Sequence, residues 1–231
     1  MRRDEGWHAA PPSDFKELVT SLESIKGRTI SDLAAAAGVA LPLSPLHGKG
    51  FQGELVERFL GASAPGLPIP DFPNLGCELK TLPLDASMRP LESTFICAAP
   101  LDADAPANFD ESILWHKIAR VLFVFVVAPR DYPYEKRFVA GYRFWRPDGS
   151  QIKAIRSDYE ELMEKVKSGR VDEITARDGT VIQMRPKAAD GTALTRVSGA
   201  DGTLIMTRPR GFYMRRSFTM SLMRSFGILK D

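Results

Sequence analysis

"PIPDFPNLGCELKTLPL", residues 68–84, is the stretch that decides the fold. A turn rich in Pro and Gly leads into an alternating apolar run, which predicts a strand over 76–84. Side chains at positions i and i+2 of a strand share one face, so Glu78 and Lys80 lie together, opposite Leu79. If Leu79 faces the core, we expect Glu78 and Lys80 to face a cleft or solvent.

The residue types around this strand indicate a chemistry. Asp71 stands before the turn, so its carboxylate can fold back beside Glu78. Two converging carboxylates suit Mg²⁺, a hard cation that takes one or two protein carboxylates. A nearby lysine such as Lys80 can orient or deprotonate an attacking water and stabilise developing charge. Asp14 and Lys16 have the same spacing in a helical stretch, so the spacing alone is weak evidence for a catalytic site. The strand next to Asp71, Glu78 and Lys80 is what favours a metal-dependent nuclease, in which the water attacks a phosphodiester.

The composition excludes several classes of protein. The chain has 231 residues and 44% hydrophobic content, enough for one large domain or two closely joined lobes. The longest apolar run, at 121–128, has the length of a strand and falls short of a membrane span. The N-terminus is polar and lacks the apolar core of a secretory signal. Cys77 and Cys97 lie in separate apolar runs, which disfavours a disulfide framework and favours a reducing cytoplasm.

Charge is distributed unevenly along the chain. Residues 185–231 carry nine Lys and Arg against three Asp, whereas residues 1–184 carry 22 basic against 26 acidic residues. A basic C-terminal quarter is consistent with a localised polyanion contact or with a solvated basic face, and charge alone does not decide between them.

Helical and strand patterns alternate along the chain. Helices are predicted at 13–27, 31–38, 112–120, 157–169, 171–179 and near 218–226, and within 48–66 a Gly-rich lead-in precedes a helix that runs through Leu60. Strands are predicted at 76–84, 93–99 and 121–128, with a strand pair over 137–146 and short pieces in the tail. Ser13 is the expected N-cap of the first helix, and "RPDGS" is expected to be a turn. This alternation predicts a mixed α/β domain.

Pro-Asp followed by Glu-x-Lys is the signature of the PD-(D/E)xK nuclease superfamily, shared with type II restriction endonucleases. Longer stretches resemble the MutH family of mismatch-repair endonucleases: "GELVERFLGAS", "DFPNLGCELKTLPLD", "RPLESTFICAAPL", "HKIARVL", "RPKAADGTALT" and "PRGFY". The resemblance runs from about residue 13 to 228. Residues 130–170 follow the family only loosely, and the first dozen residues have no clear counterpart.

The resemblance implies a mixed α/β, restriction-endonuclease-like fold in two arms around a DNA cleft. The catalytic arm would span roughly 13–128 and the DNA-recognition arm roughly 137–228. It implies Mg²⁺ as the cofactor, with Mn²⁺ as a possible substitute. Asp71, Glu78 and the Leu79 carbonyl resemble metal ligands, Lys80 the catalytic lysine, and Glu57 an additional acidic active-site residue.

The resemblance also implies a DNA-binding set. Arg185 resembles the residue that reads GATC in the major groove, beside Pro186 and Lys187. Tyr213 and Phe95 resemble a pair that senses adenine methylation. The remaining residues of the set are expected near the DNA or on its phosphates: Lys49, Lys117, Arg208, Arg210, Arg215 and Arg216.

The expected function is Mg²⁺-dependent nicking of the unmethylated strand at hemimethylated or unmethylated GATC by a monomer. The resemblance implies activation by MutL, which MutS recruits. One alternative is a type II restriction endonuclease that cuts both strands at GATC. Another is a catalytically silent DNA-binding module, which the presence of Asp71, Glu78 and Lys80 disfavours.

Overall fold

The computed structural model describes residues 7–43, 50–101, 106, 108–187 and 193–229. Two compact units emerge: unit 1 comprises 1–92, 120–145 and 226–231, and unit 2 comprises 93–119 and 146–225. This division differs from the two contiguous arms expected from the sequence, because 93–119 belongs with the C-terminal residues.

In chain order, the helices and strands are α1 (Phe15–Ile25), α2 (Ile30–Ala37), α3 (Phe51–Leu60), β1 (Glu78–Leu84), β2 (Thr94–Ala98), α4 (Ile113–Ile118), β3 (Val121–Val127), β4 (Phe138–Trp145), α5 (Gly149–Lys167), β5 (Ile182–Pro186), β6 (Thr195–Ser198), β7 (Leu204–Thr207), β8 (Arg210–Met214) and α6 (Arg216–Ser225). The interleaving confirms the mixed α/β class. None of these described helices has both the length and the apolarity needed to cross a membrane.

Unit 1 is built on a three-stranded sheet in the order β1-β3-β4. Strand β1 runs parallel to β3, with Glu78 opposite Val121, and β4 runs antiparallel to β3. Every residue of β3 is buried. A central strand that is covered on both faces needs a continuous apolar run rather than alternation, which explains why "VLFVFVV" is apolar throughout.

Helices α1, α2 and α3 contribute their apolar faces to the core of unit 1. That core includes Leu22 of α1, Leu33 of α2 and Leu55 of α3, together with Leu79 of β1. Leu79 therefore faces the core, as the alternation in β1 predicts. The opposite face of β1 carries Glu78 and Lys80, the predicted site residues of this strand.

The N-cap of the first helix is one residue later than expected. Asp14, not Ser13, is the N-cap, and its side chain accepts a hydrogen bond of 2.8 Å from the Glu17 backbone N–H. The Ser13 N–H instead donates to the Glu17 carboxylate at 2.7 Å. Both residues are good caps, and the charged one satisfies the exposed helix N–H more strongly.

Unit 2 holds a second three-stranded antiparallel sheet, in the order β2-β8-β5, and a separate two-stranded ribbon, β6-β7. Strand β2 pairs with β8 over Thr94 to Ala98, with a bulge between Phe95 and Cys97. This pairing is long-range in sequence, so local patterns could not assign β2 to unit 2. It is the physical reason why the units are not contiguous.

Three local predictions in the second half of the chain were wrong. Residues 137–146 form the single strand β4, not a strand pair. "RPDGS" starts α5, because Asp148 accepts a hydrogen bond from the Gln151 N–H in a capping box. Residues 171–179 form only a short 3-10 turn at Val171–Glu173. Asp and Gly favour turns and helix starts alike, so the sequence cues did not distinguish them.

Candidate active site and nucleic-acid interface

A tight hairpin places Asp71 beside Glu78. The backbones of Phe72 and Cys77 exchange two hydrogen bonds, of 2.9 and 3.2 Å, across a 3-10 turn at Pro73–Leu75. The residues immediately outside this pair are Asp71 and Glu78. The Pro and Gly content of the turn therefore brings together two acids that are seven positions apart.

Reciprocal contacts tie the two carboxylates to the backbone. The Asp71 N–H donates to Glu78 Oε2 at 3.2 Å, and the Leu79 N–H donates to Asp71 Oδ2 at 2.9 Å. Both side chains are buried, at 4% and 1% exposure for Asp71 and Glu78. Hydrogen bonds from backbone N–H groups compensate part of the cost of burying a carboxylate.

Lys80 completes the constellation. Its Nζ lies 2.6 Å from Glu78 Oε1, so the two side chains share a face of β1 as predicted. Lys80 retains 17% side-chain exposure, whereas Glu78 is almost completely enclosed. The expectation that both side chains face a cleft or solvent was therefore wrong for Glu78. The hairpin from Asp71 covers it, which alternation within β1 could not reveal.

Arg120 fastens this hairpin from the start of β3. Its backbone carbonyl accepts a hydrogen bond of 3.0 Å from the Glu78 N–H, and its guanidinium donates to the Leu75 carbonyl in the turn. The same guanidinium stacks over the ring of Phe15 on α1. The sequence analysis missed Arg120, because its partners lie 45 and 105 residues away.

The acid pair suits a hard divalent cation. Two neighbouring carboxylates are the oxygen donors that Mg²⁺ prefers, and water and phosphate oxygens complete its octahedral shell. Within the described part of the chain, no three His, Cys, Asp or Glu side chains group as a metal site. Glu57 is half-buried on α3. The described contacts assemble Asp71 and Glu78, and the role of Glu57 as an additional active-site acid stays a prediction.

Unit 2 brings four predicted DNA-binding residues into one cluster, which we call the reading cluster: Phe95, Arg185, Lys187 and Tyr213. The rings of Phe95 and Tyr213 meet edge to face with centroids 5.3 Å apart. Lys187 Nζ lies 3.3 Å from the Phe95 centroid, and the Arg185 guanidinium lies 5.6 Å from the Tyr213 centroid. Each cation therefore has an aromatic partner.

The backbone holds the reading cluster on a sheet. Phe95 pairs with Tyr213 between β2 and β8, and Arg185 pairs with Gly211 between β5 and β8. Pro186 ends β5 and is exposed, as are Arg185 and Lys187. Sequence alone suggested these residues separately; only the pairing of β2 with β8 makes them neighbours.

The predicted phosphate-binding arginines fall into two groups. Arg208 and Arg216 are exposed. Arg210 is 8% exposed and donates to the Ile174 carbonyl at 3.2 Å. Arg215 donates to the carbonyls of Ala176 and Asp178 at 2.8 and 3.0 Å. The guanidinium groups of Arg210 and Arg215 therefore anchor the loop at 174–178, and their contact with phosphate stays a prediction.

Of the two lysines expected near DNA, Lys117 is among the described residues and Lys49 is not. Lys49 lies outside the described residues. The expected place of Lys117 near the DNA stays a prediction. Lys117 lies in the last turn of α4 and is only 5% exposed. Its sequence neighbours give the reason, because α4 buries Leu114 and Ile118 on the same stripe.

Asp158 is a second residue that the sequence analysis missed. It lies on the buried stripe of α5, and its carboxylate accepts hydrogen bonds of 2.8, 2.6 and 2.8 Å from the N–H groups of Thr180, Val181 and Ile182. These contacts hold the start of β5, the strand that carries Arg185. The apolar neighbours of Asp158 at helical spacing were the available signal, which the high charge of the helix obscured.

The fold is mixed α/β; one unit holds a buried acid pair followed by a lysine on β1, and the other unit holds a cluster of cationic and aromatic side chains. These features define a restriction-endonuclease-like nuclease. Comparison with known proteins narrows the class. The family model described as "MutH: DNA mismatch repair enzyme MutH" matches residues 60–158. The chain belongs to the MutH family, because its identity to family members extends over almost its whole length.

Several curated relatives are named "DNA mismatch repair protein MutH". The relative from Klebsiella pneumoniae subsp. pneumoniae is 42% identical over 222 residues, covering 96% of each chain. The one from Yersinia enterocolitica is 44% identical over 210 residues, covering 91% of this chain and 92% of its own. The one from Escherichia coli O1:K1 is 42% identical over 214 residues, covering 93% of each. The sequence resemblance to this family is thereby confirmed.

Proposed function

We propose that this protein is a Mg²⁺-dependent endonuclease of methyl-directed mismatch repair that nicks the unmethylated strand at hemimethylated or unmethylated GATC sites. The observation that carries the proposal is the arrangement of Asp71, Glu78 and Lys80. Two adjacent carboxylates and a lysine on a rigid strand are what phosphodiester hydrolysis requires.

Asp71 and Glu78 would hold the Mg²⁺, with Mn²⁺ as a substitute and the Leu79 carbonyl as a further ligand. When bound, Mg²⁺ polarises the scissile phosphate and neutralises its charge. The Lys80 ammonium, which Glu78 Oε1 holds at 2.6 Å, orients the attacking water and stabilises charge developing on the phosphate. The hairpin over Glu78 keeps bulk water from one side of the site.

The reading cluster would supply sequence and methylation recognition. The Arg185 guanidinium can bind guanine O6 and N7 bidentately, for roughly 1–3 kcal/mol of discrimination. The rings of Phe95 and Tyr213 would form a wall at the adenine N6 edge, where an added methyl group clashes. Exposed Arg208 and Arg216 would bind phosphates, which contribute affinity without sequence information.

The relatives' name places them in mismatch repair. From that membership we infer activation by MutL, which MutS recruits to a mismatch. The chain carries one such set, with Asp71 before the turn and Glu78 and Lys80 on β1, and one set of these residues serves one phosphodiester at a time. A monomer with that set nicks one strand per encounter.

The test is cleavage of a plasmid with a single GATC site in Mg²⁺, with and without MutL and MutS. Unmethylated, hemimethylated and fully methylated plasmids are compared, and Glu78→Ala is the inactive control. We expect slow nicking of the unmethylated strand, faster with MutL and absent in the control. Rapid double-strand cutting that is indifferent to MutL would instead identify a restriction endonuclease. DNA binding without any cleavage would identify a silent binding module.

A further inference from the structure

The ring of Phe95 lies directly over the backbone of β8 at Gly211. A Cβ atom placed on Gly211 would lie 2.7 Å from Phe95 Cε2, 3.3 Å from Phe95 Cδ2 and 3.1 Å from the Cys97 carbonyl oxygen. Gly211 is not among the residues with positive φ, so its backbone conformation suits any residue. The position therefore requires glycine because of space and not because of strain.

The strand register places this gap in the middle of the reading cluster. Gly211 is opposite Arg185 on β5, and Tyr213 follows two residues later on the same face of β8. Because β8 lies between β2 and β5, the gap separates Phe95 on one side from Arg185 on the other.

Lys187 contacts the ring that lies over Gly211. Its backbone N–H donates to the Pro209 carbonyl at 2.7 Å, which puts its Cα on the β5 side of the sheet. Its Nζ nevertheless lies 3.3 Å from the centroid of Phe95, which belongs to β2. The ring that lies over Gly211 is therefore also the face that the lysine ammonium contacts.

We propose that Gly211 is a positioning residue for methylation and base discrimination: its missing side chain sets where the Phe95 ring and the Lys187 ammonium lie. This inference rests on the proposed function, in which these side chains read DNA. An added methyl group at Gly211 displaces the ring rather than the strand, because β8 is paired on both sides. A shifted ring changes the edge contact with Tyr213 and removes the aromatic face from under Lys187.

The first experiment uses the Gly211→Ala variant of the full chain. Nicking rates on unmethylated and fully methylated GATC duplexes are measured, together with binding to a duplex that lacks GATC. We expect the ratio of the two rates to fall about three- to tenfold, the range that one aromatic or cation–aromatic contact supports. Binding to the duplex without GATC should not change, because the exposed arginines are intact.

Gly149→Ala is the matched control. Gly149 lies in the same unit, and an added Cβ there meets no atom within 4 Å. It lies at the first position of α5 with an ordinary φ. This control should retain the methylation ratio of the parent protein.

A double variant separates positioning from general damage. Phe95→Ala alone should lower the ratio of nicking rates on unmethylated and methylated duplexes. If Gly211 acts through Phe95, adding Gly211→Ala to Phe95→Ala should lower this ratio little further, because the clashing ring is gone. The double variant should also fold if Gly211→Ala alone does not. Additive losses, or a double variant that fails to fold where Phe95→Ala folds, would overturn the proposal.

Proton NMR gives a readout that a purely structural role would not move. A lysine over an aromatic face has side-chain methylene protons shifted upfield by the ring current, and Gly211→Ala should abolish this shift for Lys187. If the parent discriminates methylated DNA and Gly211→Ala keeps both the ratio and the shift, the inference fails alone. If the parent cuts methylated and unmethylated duplexes equally, the methylation reading of the proposed function fails, and the role of Gly211 in it fails too.

Discussion

Glu78 and Lys80 form an ion pair of 2.6 Å although a single residue separates them on β1. One partner is enclosed and the other reaches solvent, so the pair joins the interior of unit 1 to its surface. The strand supplies rigidity and the hairpin from Asp71 supplies enclosure. These two residues therefore contribute to stability as well as to the proposed chemistry, and the two contributions can be separated by mutation.

Removing the ammonium should cost stability as well as activity. Lys80→Met deprives a carboxylate that is 1% exposed of its cation, so we expect about 2–4 kcal/mol loss in the free energy of unfolding. Glu78→Gln keeps an oxygen acceptor for Lys80 and should cost less. Both variants should lose nicking activity. Urea unfolding of each variant measures the stability difference.

The double variant Lys80→Met/Glu78→Gln provides the control. It no longer buries the Glu78 charge without its cation, so it should be more stable than Lys80→Met alone. If the losses of the single variants simply add, the ion pair contributes no coupling and this account of the site is wrong.

Arg208 and Arg210 are a matched pair for testing phosphate contacts. Arg208→Ala removes an exposed cation, so the slope of log binding constant against log salt concentration should become shallower by about one, with stability unchanged. Arg210→Ala removes a buried guanidinium bound to the Ile174 carbonyl, so it should destabilise unit 2 by about 2–3 kcal/mol and leave the slope unchanged. The opposite pattern would contradict a surface role for Arg208 and an interior role for Arg210.

Asp158 should be a major determinant of stability in unit 2. Asp158→Ala leaves three backbone N–H groups at 180–182 without their acceptor, so we expect a loss of about 3–4 kcal/mol. Asp158→Asn retains one acceptor oxygen and should lose less. Glu160→Ala, an exposed position on the same helix, should stay within about 0.5 kcal/mol of the parent in thermal unfolding. If Asp158→Ala and Glu160→Ala lose equal free energy of unfolding, the Asp158 carboxylate does not stabilise the backbone at 180–182.

The stabilising effect of Lys165 should disappear in acid. Lys165 donates to Asp178 at 2.8 Å, and this hydrogen bond lowers the pKa of Asp178 from its usual value of 3.8. The pKa of Asp178 is lower in the folded state than in the unfolded state, so between these two values the unfolded state binds more protons. The stabilisation that Asp178 gains from Lys165 is therefore complete above about pH 4 and is lost as the pH falls through the folded pKa.

We therefore expect Lys165→Met to destabilise the protein at pH 7 and progressively less below about pH 4. Urea unfolding from pH 7 to pH 2.5 measures the difference between variant and parent. Lys153→Met, an exposed lysine on the same helix, serves as the control and should show no such pH dependence. A difference for Lys165→Met that stays constant down to pH 2.5 would contradict the role of the Asp178 pKa.

Local sequence patterns predicted most elements of the fold. The buried run at 121–128, the helix ending at Leu60 before Gly61 and the strand that carries Glu78 were recognisable because periodicity and caps act within a few residues. The errors fell where one cue fits two structures, as at Asp148, which starts a helix where a turn was expected.

The sequence by itself determined the acid pair, the lysine and the family, because the turn at 73–76 and the alternation in β1 are local properties. Only the tertiary structure decided that Glu78 is enclosed, that Arg210 and Lys117 are buried, and that Phe95 meets Tyr213 and Lys187. Burial and strand pairing depend on residues distant in the chain, such as Phe95 and Tyr213, which are 118 positions apart. The free energy of those contacts arises only when the whole sheet forms, so no short window of sequence contains it.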